Sequence, residues 1–187
     1  RAAVLAEDQR FEEALAILRA ARKALPDQEQ LLLNEANTLS RLGRLAEAGD
    51  LLQQAVREGK ESATLLNNLA WNDLCAGKVT EQTVAWAERA AQLSKDEGHY
   101  HTLACVQAAL GRVPQAREAL LQSVSAEGPI EPITWFGLGL IAQALDDSGS
   151  ARTYFLRVDT PENKEDAANP LTCKAMARKH LARLGRD

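Results

Sequence analysis

The sequence is short of aromatic residues, cysteines and long apolar runs, and each shortage excludes something. Aromatic residues make up 4% of the 187 residues, so we expect closely packed helices rather than a bulky central core. Three cysteines cannot all pair, and reduced thiols are therefore expected. No apolar run reaches about 18 residues, which predicts no membrane-spanning segment. The net charge of −4 gives no reason to expect nucleic acid as a partner.

The sequence leaves the compartment open. A cytoplasmic location is slightly favoured. The chain starts at Arg1 rather than at a methionine, so we expect the full-length protein to begin upstream. A signal peptide in that missing stretch stays an open alternative.

What the sequence does contain is a repeated pair of apolar-periodic segments joined by a glycine. In the stretch from Tyr100 to Leu121, apolar residues recur at helical spacing on both sides of Gly111. With Gly43 and Gly77, this places one glycine every 34 residues. Glycine tolerates the backbone dihedrals of a tight turn between antiparallel helices. The pattern therefore predicts an all-α array of helix–turn–helix units.

Counting in this register divides the chain into units with a turn near the middle of each. The predicted turns lie at Gln9, Gly43, Gly77, Gly111 and Asp146–Asp147. After Gly77 the second helix fits the register only with one inserted residue. A last helix is predicted by an asparagine N-cap followed by proline, at 169 and 170. The units are a partial repeat over 1–28, full repeats over 29–62, 63–96, 97–130 and 131–160, and a capping helix over 170–184.

At these positions the chain resembles tetratricopeptide repeat proteins over about 29–158. Their first helix carries a bulky residue, a leucine and a small residue, and their second helix a small, a bulky and a small residue. The chain departs from this pattern at Glu35 and Asp146. The resemblance implies a right-handed superhelical solenoid, which forms a single domain over 1–187 with its cap. The matching triplets are Leu66-Leu69-Ala70, Tyr100-Leu103-Ala104 and Trp135-Leu138-Gly139 on first helices, and Ala48-Leu52-Ala55 on a second helix.

The resemblance also implies a concave groove, lined by the first helices, in which a peptide binds. The amide of an asparagine can donate to a peptide carbonyl and accept from a peptide N–H. Toward the C-terminus the groove becomes apolar, which suits a hydrophobic side chain or a helix face. For Trp71 and Phe136 the alternative is packing between adjacent repeats. The candidate contacts are Asn37, Arg41, Asn67, Asn68, Trp71, His101, Cys105, Phe136 and Leu140.

A carboxylate clamp, which some family members use to hold the C-terminus of chaperone tails, is not expected here. Asn37 and Asn68 stand at its two asparagine places. Its basic places hold Leu33, Gly98 and Thr102, so a buried carboxylate would lack cations. The expected ligand is therefore an internal peptide segment.

Two groups of residues could form a metal site or a catalytic pair, and each lacks a required member. His101 and Cys105 are four residues apart on one helix, with Cys75 in the previous repeat, which suits Zn²⁺. A fourth ligand is missing. A Cys–His nucleophile pair lacks an orienting group and an oxyanion hole. We therefore predict no metal, no cofactor and no enzyme activity, with burial as the ordinary role of these cysteines.

The last helix is basic, with five Lys or Arg against one Asp over 171–187. A solvated outer face is the ordinary interpretation, and an acidic partner or a membrane surface are the functional ones.

The predicted groove and the absence of a complete catalytic or metal site together predict a noncatalytic protein–protein interaction scaffold. We expect a monomer or a weak oligomer that binds a protein or peptide.

A weaker resemblance suggests an alternative function. The strings NNLAW, HTLACVQAALGR and WFGLGLIAQAL resemble the C-terminal repeat region of large bacterial proteins that also carry transglutaminase-like domains. This implies a recognition or regulatory module of a larger enzyme, with the catalytic domain upstream of Arg1. The full-length sequence would separate the two hypotheses.

Overall fold

The computed structural model describes residues 10–124, 130–165 and 169–185. Within these ranges all regular structure is helical, as the sequence predicts. The turn predicted at Gln9 lies outside them. None of the helices found there is both long and apolar enough to cross a membrane. The helices are α1 Phe11–Ala24, α2 Glu29–Arg41, α3 Leu45–Arg57, α4 Ala63–Ala76, α5 Glu81–Leu93, α6 Glu97–Ala109, α7 Val113–Ser123, α8 Pro132–Ala144, α9 Ser148–Val158 and α10 Cys173–Leu184.

The chain divides into two compact units, Arg1–Glu61 and Ser62–Asp187. Unit 1 contains α1 to α3, and unit 2 contains α4 to α10. The single domain over 1–187 and the repeat boundaries within it stay predictions. Each unit is described separately below.

In unit 1, α2 and α3 form a helix pair joined at Gly43, whose φ of +75° lies in the left-handed region. This conformation is the reason a glycine is favoured at the turn. Ala36 and Leu39 of α2 are buried, and so are Leu52 and Ala55 of α3. The two helices therefore pack through the apolar faces that the repeat register predicts.

Glu35 stands where the repeat pattern expects an apolar residue, and two arginines of α1 compensate for it. Arg19 Nε donates to Glu35 Oε1 at 3.0 Å, and Arg22 Nε donates to Oε2 at 2.6 Å. Glu35 is only 3% exposed. Burying a carboxylate is costly unless it is paired and hydrogen-bonded. The departure from the pattern is therefore a buried carboxylate paired with two partly exposed arginines within unit 1.

Unit 2 consists of three helix pairs, α4–α5, α6–α7 and α8–α9, followed by α10. Their turns lie at Gly77, Gly111 and Asp146, with φ values of +67°, +73° and +58°. The predicted turns, including the one without glycine, are confirmed. The first helices of the pairs pack side by side, α4 on α6 and α6 on α8, as stacked repeats do.

The one-residue insertion after Gly77 shifts the buried positions of α5 by one residue along the chain. The fully buried Thr83 is the sixth residue after Gly77, whereas Ala116 of α7 is the fifth after Gly111. A capping box starts α5: Thr83 N donates to Thr80 Oγ1 at 3.3 Å, and Thr80 N donates to Thr83 Oγ1 at 3.0 Å. Because the cap satisfies these N–H groups, the insertion shifts α5 without leaving them unpaired.

The last helix, α10, begins three residues later than the Asn169–Pro170 signal predicts. Its N-cap is Thr172, whose Oγ1 accepts a hydrogen bond from Ala175 N at 3.2 Å. The side chain of Asn169 instead accepts from Leu171 N at 3.1 Å. Such a local turn competes with helix initiation, so the helix is present but starts later.

Candidate functional site

Two of the predicted contact residues lie in unit 1, on α2. Asn37 and Arg41 are both exposed. The Arg41 guanidinium lies 5.3 Å from the centroid of the Phe11 ring, a cation–π contact that holds it against α1. Unit 1 therefore presents an accessible amide and an accessible cation on this helix.

The other predicted contacts lie on the first helices of unit 2, and together with Cys75 we call them the inner wall. Its centre is aromatic, because Trp71 of α4 and Phe136 of α8 meet edge to face with ring centroids 6.5 Å apart. Helix α6 packs against both α4 and α8. The inner wall consists of Asn67, Asn68, Trp71, Cys75, His101, Cys105, Phe136 and Leu140.

The inner wall is covered by residues 169–185 of the same chain, which we call the C-terminal segment. Trp71 Nε1 donates to the Leu171 carbonyl oxygen at 2.9 Å, and the Cys75 thiol donates to Met176 Sδ at 3.5 Å. His180 packs edge-on against Phe136, with ring centroids 5.9 Å apart. A helix that only caps an array contacts the adjacent repeat. This segment packs mainly on α9 and α8, as a cap does, and Leu171 and Met176 add contacts with α4, the first helix of unit 2.

Most of the inner wall is hidden from solvent. Cys105 and Phe136 are fully buried, and His101 and Leu140 are each 5% exposed. A partner could reach these side chains only after a rearrangement, and their role as contacts stays a prediction. The half-buried members are Asn67, Asn68 and Trp71.

His101 takes part in holding the helices together. Its Nε2 lies 2.9 Å from Thr134 Oγ1, which joins α6 to α8. Burial lowers the pKa of His101, and the nearby Glu131 opposes this shift. The ring is therefore neutral at ordinary pH and is occupied by a hydrogen bond within the fold.

The three cysteines converge in unit 2, and all are buried. Burial raises the pKa of Cys75 and of Cys105 to about 12, and it raises the pKa of Cys173 well above its usual value. A thiol is nucleophilic, and binds metals, as the thiolate, so these cysteines are unreactive at neutral pH. Among the described residues, no group of three or more His, Cys, Asp or Glu is placed to hold a metal ion.

A cavity of about 790 Å³ remains beside the inner wall, between α10 and the C-terminal ends of α4, α6 and α8. Apolar side chains of the first helices form part of its lining, and Lys179 and Arg183 of α10 add two cations. These two cations also depress the pKa of His180, although burial is the larger cause. Other lining residues are Leu74, Val79, Leu140 and Met176.

Sequence reasoning missed Met176 and His180 as contact residues. The signal was present, because Cys173, Met176, Ala177 and His180 recur at the spacing of one helical face. The apolar stripe predicted from the sequence, Cys173, Ala177, Leu181 and Leu184, shares Cys173 and Ala177 with this face, and both are buried. A histidine on this otherwise apolar face was the sequence feature that indicated a contact.

Comparison with known proteins agrees with this architecture. The tetratricopeptide repeat family model matches residues 1–63 and 101–170. No curated protein matches the sequence. Among solved structures, PilW, described as a widely conserved type IV pilus biogenesis factor, superposes with a TM-score of 0.68 at 21% identity. That match covers 100% of this chain and 90% of PilW.

Two further tetratricopeptide repeat (TPR) structures are similar. TTC0263, a thermophilic TPR protein of Thermus thermophilus, has a TM-score of 0.66 at 17% identity, over 97% of this chain and 95% of that one. YrrB, described as a TPR protein with an unusual peptide-binding site, has a TM-score of 0.61 at 16% identity, over 97% of this chain and 88% of that one. At such identities the likeness shows the fold alone, and it confirms the predicted all-α repeat fold. Since the family model matches more than half of its length, the chain belongs to the tetratricopeptide repeat family.

Proposed function

We propose that this protein is a noncatalytic interaction module that binds a peptide segment along the inner faces of its first helices. The tetratricopeptide repeat fold is in general a protein-interaction scaffold. The fold alone does not fix the ligand, so the proposal rests on the chemistry of the site.

The observation that carries the proposal is the hydrogen bond from Trp71 to the Leu171 carbonyl at 2.9 Å. A first-helix side chain here holds the backbone of a polypeptide segment outside the repeats. The same surface packs an apolar side chain of that segment, Met176, against Cys75. Backbone hydrogen bonds supply affinity and side-chain pockets supply specificity in peptide recognition.

Asparagine amides on the first helices add to the case for a peptide ligand. Asn67 Oδ1 is buried and has no hydrogen-bond partner within the described part of the chain. Asn68, the next residue, is half-buried, and Asn37 of unit 1 is exposed. Such amides suit a peptide backbone because each one both donates and accepts.

Catalysis by the described residues is disfavoured on chemical grounds. The thiols carry raised pKa values, and His101 is held by Thr134. The alternative proposal, a recognition or regulatory module of a larger enzyme, uses the same surface and assigns the chemistry to another part of the full-length protein.

The test is a phage-displayed peptide library selected on the full chain, with the affinity of selected peptides measured by calorimetry. Asn68→Ala and Asn37→Ala are compared with Arg117→Ala, an exposed position on α7. Leaving a peptide group unsatisfied costs about 1–3 kcal/mol, so the asparagine variants should bind about 5- to 160-fold more weakly. The Arg117 variant should change the binding free energy by no more than about 0.5 kcal/mol.

Circular dichroism confirms that each variant remains folded. If Arg117→Ala loses binding while both asparagine variants keep it, the peptide binds the outer surface and the proposed site is wrong. If the selection enriches no peptide, even after the C-terminal segment is released from the inner wall, the proposed function itself is wrong.

A further inference from the structure

We propose that the C-terminal segment is a displaceable internal ligand of the inner wall, so that an external amphipathic helix binds unit 2 by replacing it. This inference rests on the proposed function, since it names what occupies the peptide-binding surface of unit 2. It also assigns the class of partner: a helix whose contact face repeats the pattern of α10.

The first argument is that the C-terminal segment contacts a helix far from it in the sequence. Leu171 bonds to Trp71, which is 100 residues earlier, and Met176 contacts Cys75, which is 101 residues earlier. Repeats in an array contact their immediate neighbours, and α10 follows α9 directly. A terminal cap needs only the packing on α8 and α9 that α10 also has, whereas a ligand of the inner wall reaches further first helices, as Leu171 and Met176 do on α4.

The second argument is that many polar bonds of α10 run to the stretch that leads into it, and not to the repeats. Lys174 Nζ donates to the carbonyl oxygens of Thr160 and Asn163 at 2.9 and 2.8 Å. Arg178 Nε donates to Asp159 Oδ1 at 2.8 Å. These bonds join residues 159–163 to α10, so they do not hold α10 to the inner wall.

The third argument is that the segment fills the wall incompletely. The cavity of about 790 Å³ lies between α10 and the ends of three first helices. His180 Nδ1 is buried without a hydrogen-bond partner in the described part of unit 2. The cavity is open to solvent, so the side chains that line it lack packing partners on one side, and an unpaired buried polar atom weakens an interface. A better-fitting helix can therefore compete for this surface.

The pattern of α10 defines the competing helix. Cys173, Met176, Ala177 and His180 form its contact face, and small side chains there allow a close approach. Recognition of one helical face through positions i, i+3, i+4 and i+7 is a common mode of helix binding in a groove. A partner helix therefore carries small residues and one flexible apolar residue at these positions.

The probe is a fluorescein-labelled synthetic peptide of residues 169–185 with Cys173→Ser, titrated against the full chain by fluorescence anisotropy. The double variant Met176→Glu, His180→Glu should release the tethered segment and bind the peptide at least about 10-fold more tightly than the wild-type chain. Ala182→Glu, an exposed position on the same helix, should behave as wild type. Equal binding by the double variant and wild type, or no binding by a folded double variant, overturns the inference.

Hydrogen exchange on the wild-type chain provides a test that needs no variant. If the segment leaves the wall independently, amides of α10 should exchange at least about 10-fold faster than those of α6. Equal exchange would show that α10 opens only with the rest of unit 2, and would overturn the inference.

The two proposals fail differently. Selected peptides that bind wild type and double variant equally well, and still depend on Asn68, leave the proposed function intact and refute the displacement. Absence of any selected peptide on both chains refutes the proposed function.

Discussion

The two units treat the inner face of their first helices in opposite ways. In unit 1, Asn37 and Arg41 of α2 are exposed, whereas in unit 2 Cys105 and Phe136 are fully buried. All four were predicted as contacts by the same repeat register. The repeat register therefore predicts which face of a first helix lies on the inner side. It does not predict whether that face is exposed to solvent or covered.

The units also differ in what stabilises their interior. Unit 1 buries a carboxylate, Glu35, between two arginines. Unit 2 instead places a neutral histidine between two phenylalanines, with His180 stacked on Phe155 at 4.9 Å and edge-on to Phe136. Glu35 in unit 1 is stabilised by opposite charges, whereas His180 in unit 2 is buried in its uncharged form. Mutation and acid should therefore affect the two units differently.

The largest effect is expected from the double variant Arg19→Ala, Arg22→Ala in unit 1. It leaves the buried Glu35 carboxylate without its cations. Breaking a buried ion pair costs about 3–5 kcal/mol, and because both arginines are partly exposed, the loss should lie at the lower end of that range. Urea denaturation should show this loss. Adding Glu35→Leu, the residue type that the repeat expects, should restore most of the stability.

The exposed pair of Arg44 with Glu47 supplies the control for this prediction, because solvent-exposed ion pairs contribute little. Arg44→Ala should leave the urea midpoint close to that of the wild type. A loss as large as that of the double variant would show that burial of Glu35 is not the cause.

Acid should act on unit 2 through His180. Burial, with smaller contributions from Arg183 and Lys179, lowers its pKa to about 4, against about 6.5 in the unfolded chain. As the pH falls through this window, the unfolded state takes up a proton that the folded state does not. Stability is therefore greatest above about pH 6.5 and should fall by about 3 kcal/mol towards pH 4. Urea midpoints across the window measure the loss.

His180→Gln should remove this part of the pH dependence. Burial lowers the pKa of His101 in the same direction, so the informative quantity is the difference between wild type and variant. If both lose stability equally on acidification, His180 is not the source.

Gly139 tests how tightly the aromatic centre of unit 2 is packed. A Cβ there would clash with the ring of Phe155, which is fully buried. Gly139→Ala should therefore lower the free energy of unfolding by about 2 kcal/mol through overpacking. Gly149→Ala in α9 is the matched control, because its nearest neighbour would be 3.6 Å away. Calorimetric melting should show the control unchanged or stabilised by up to about 1 kcal/mol, and equal losses would contradict the prediction.

The smallest effect is expected from Trp71→Phe, which keeps an aromatic ring near Phe136 but removes the N–H that bonds to Leu171. Losing one hydrogen bond should cost about 1 kcal/mol of stability. Trp86→Phe, a partly buried tryptophan packed against Val84 and Ala87, controls for the lost ring volume. If both variants unfold at the same urea concentration, the bond to Leu171 contributes nothing measurable.

Several features of the fold could be predicted from the sequence because they depend on local chemistry. A left-handed backbone favours glycine, which identified the turns at Gly43, Gly77 and Gly111. The small residues of second helices were identified by spacing alone, including the shift after Gly77. The start of α10 was placed too early because the competing turn at Asn169 has no distinct sequence signal.

The sequence by itself determined the helix pairs, their turns and the face that each helix presents, since these follow from contacts between residues close in the chain. The tertiary structure decided that Trp71 meets Leu171, 100 residues later, and that His180 lies between Phe136 and Phe155. Such contacts depend on the rotation accumulated over the stacked helix pairs of unit 2, and no repeat period encodes it. Whether the inner wall is open or covered was therefore a property of the folded unit and not of any single repeat.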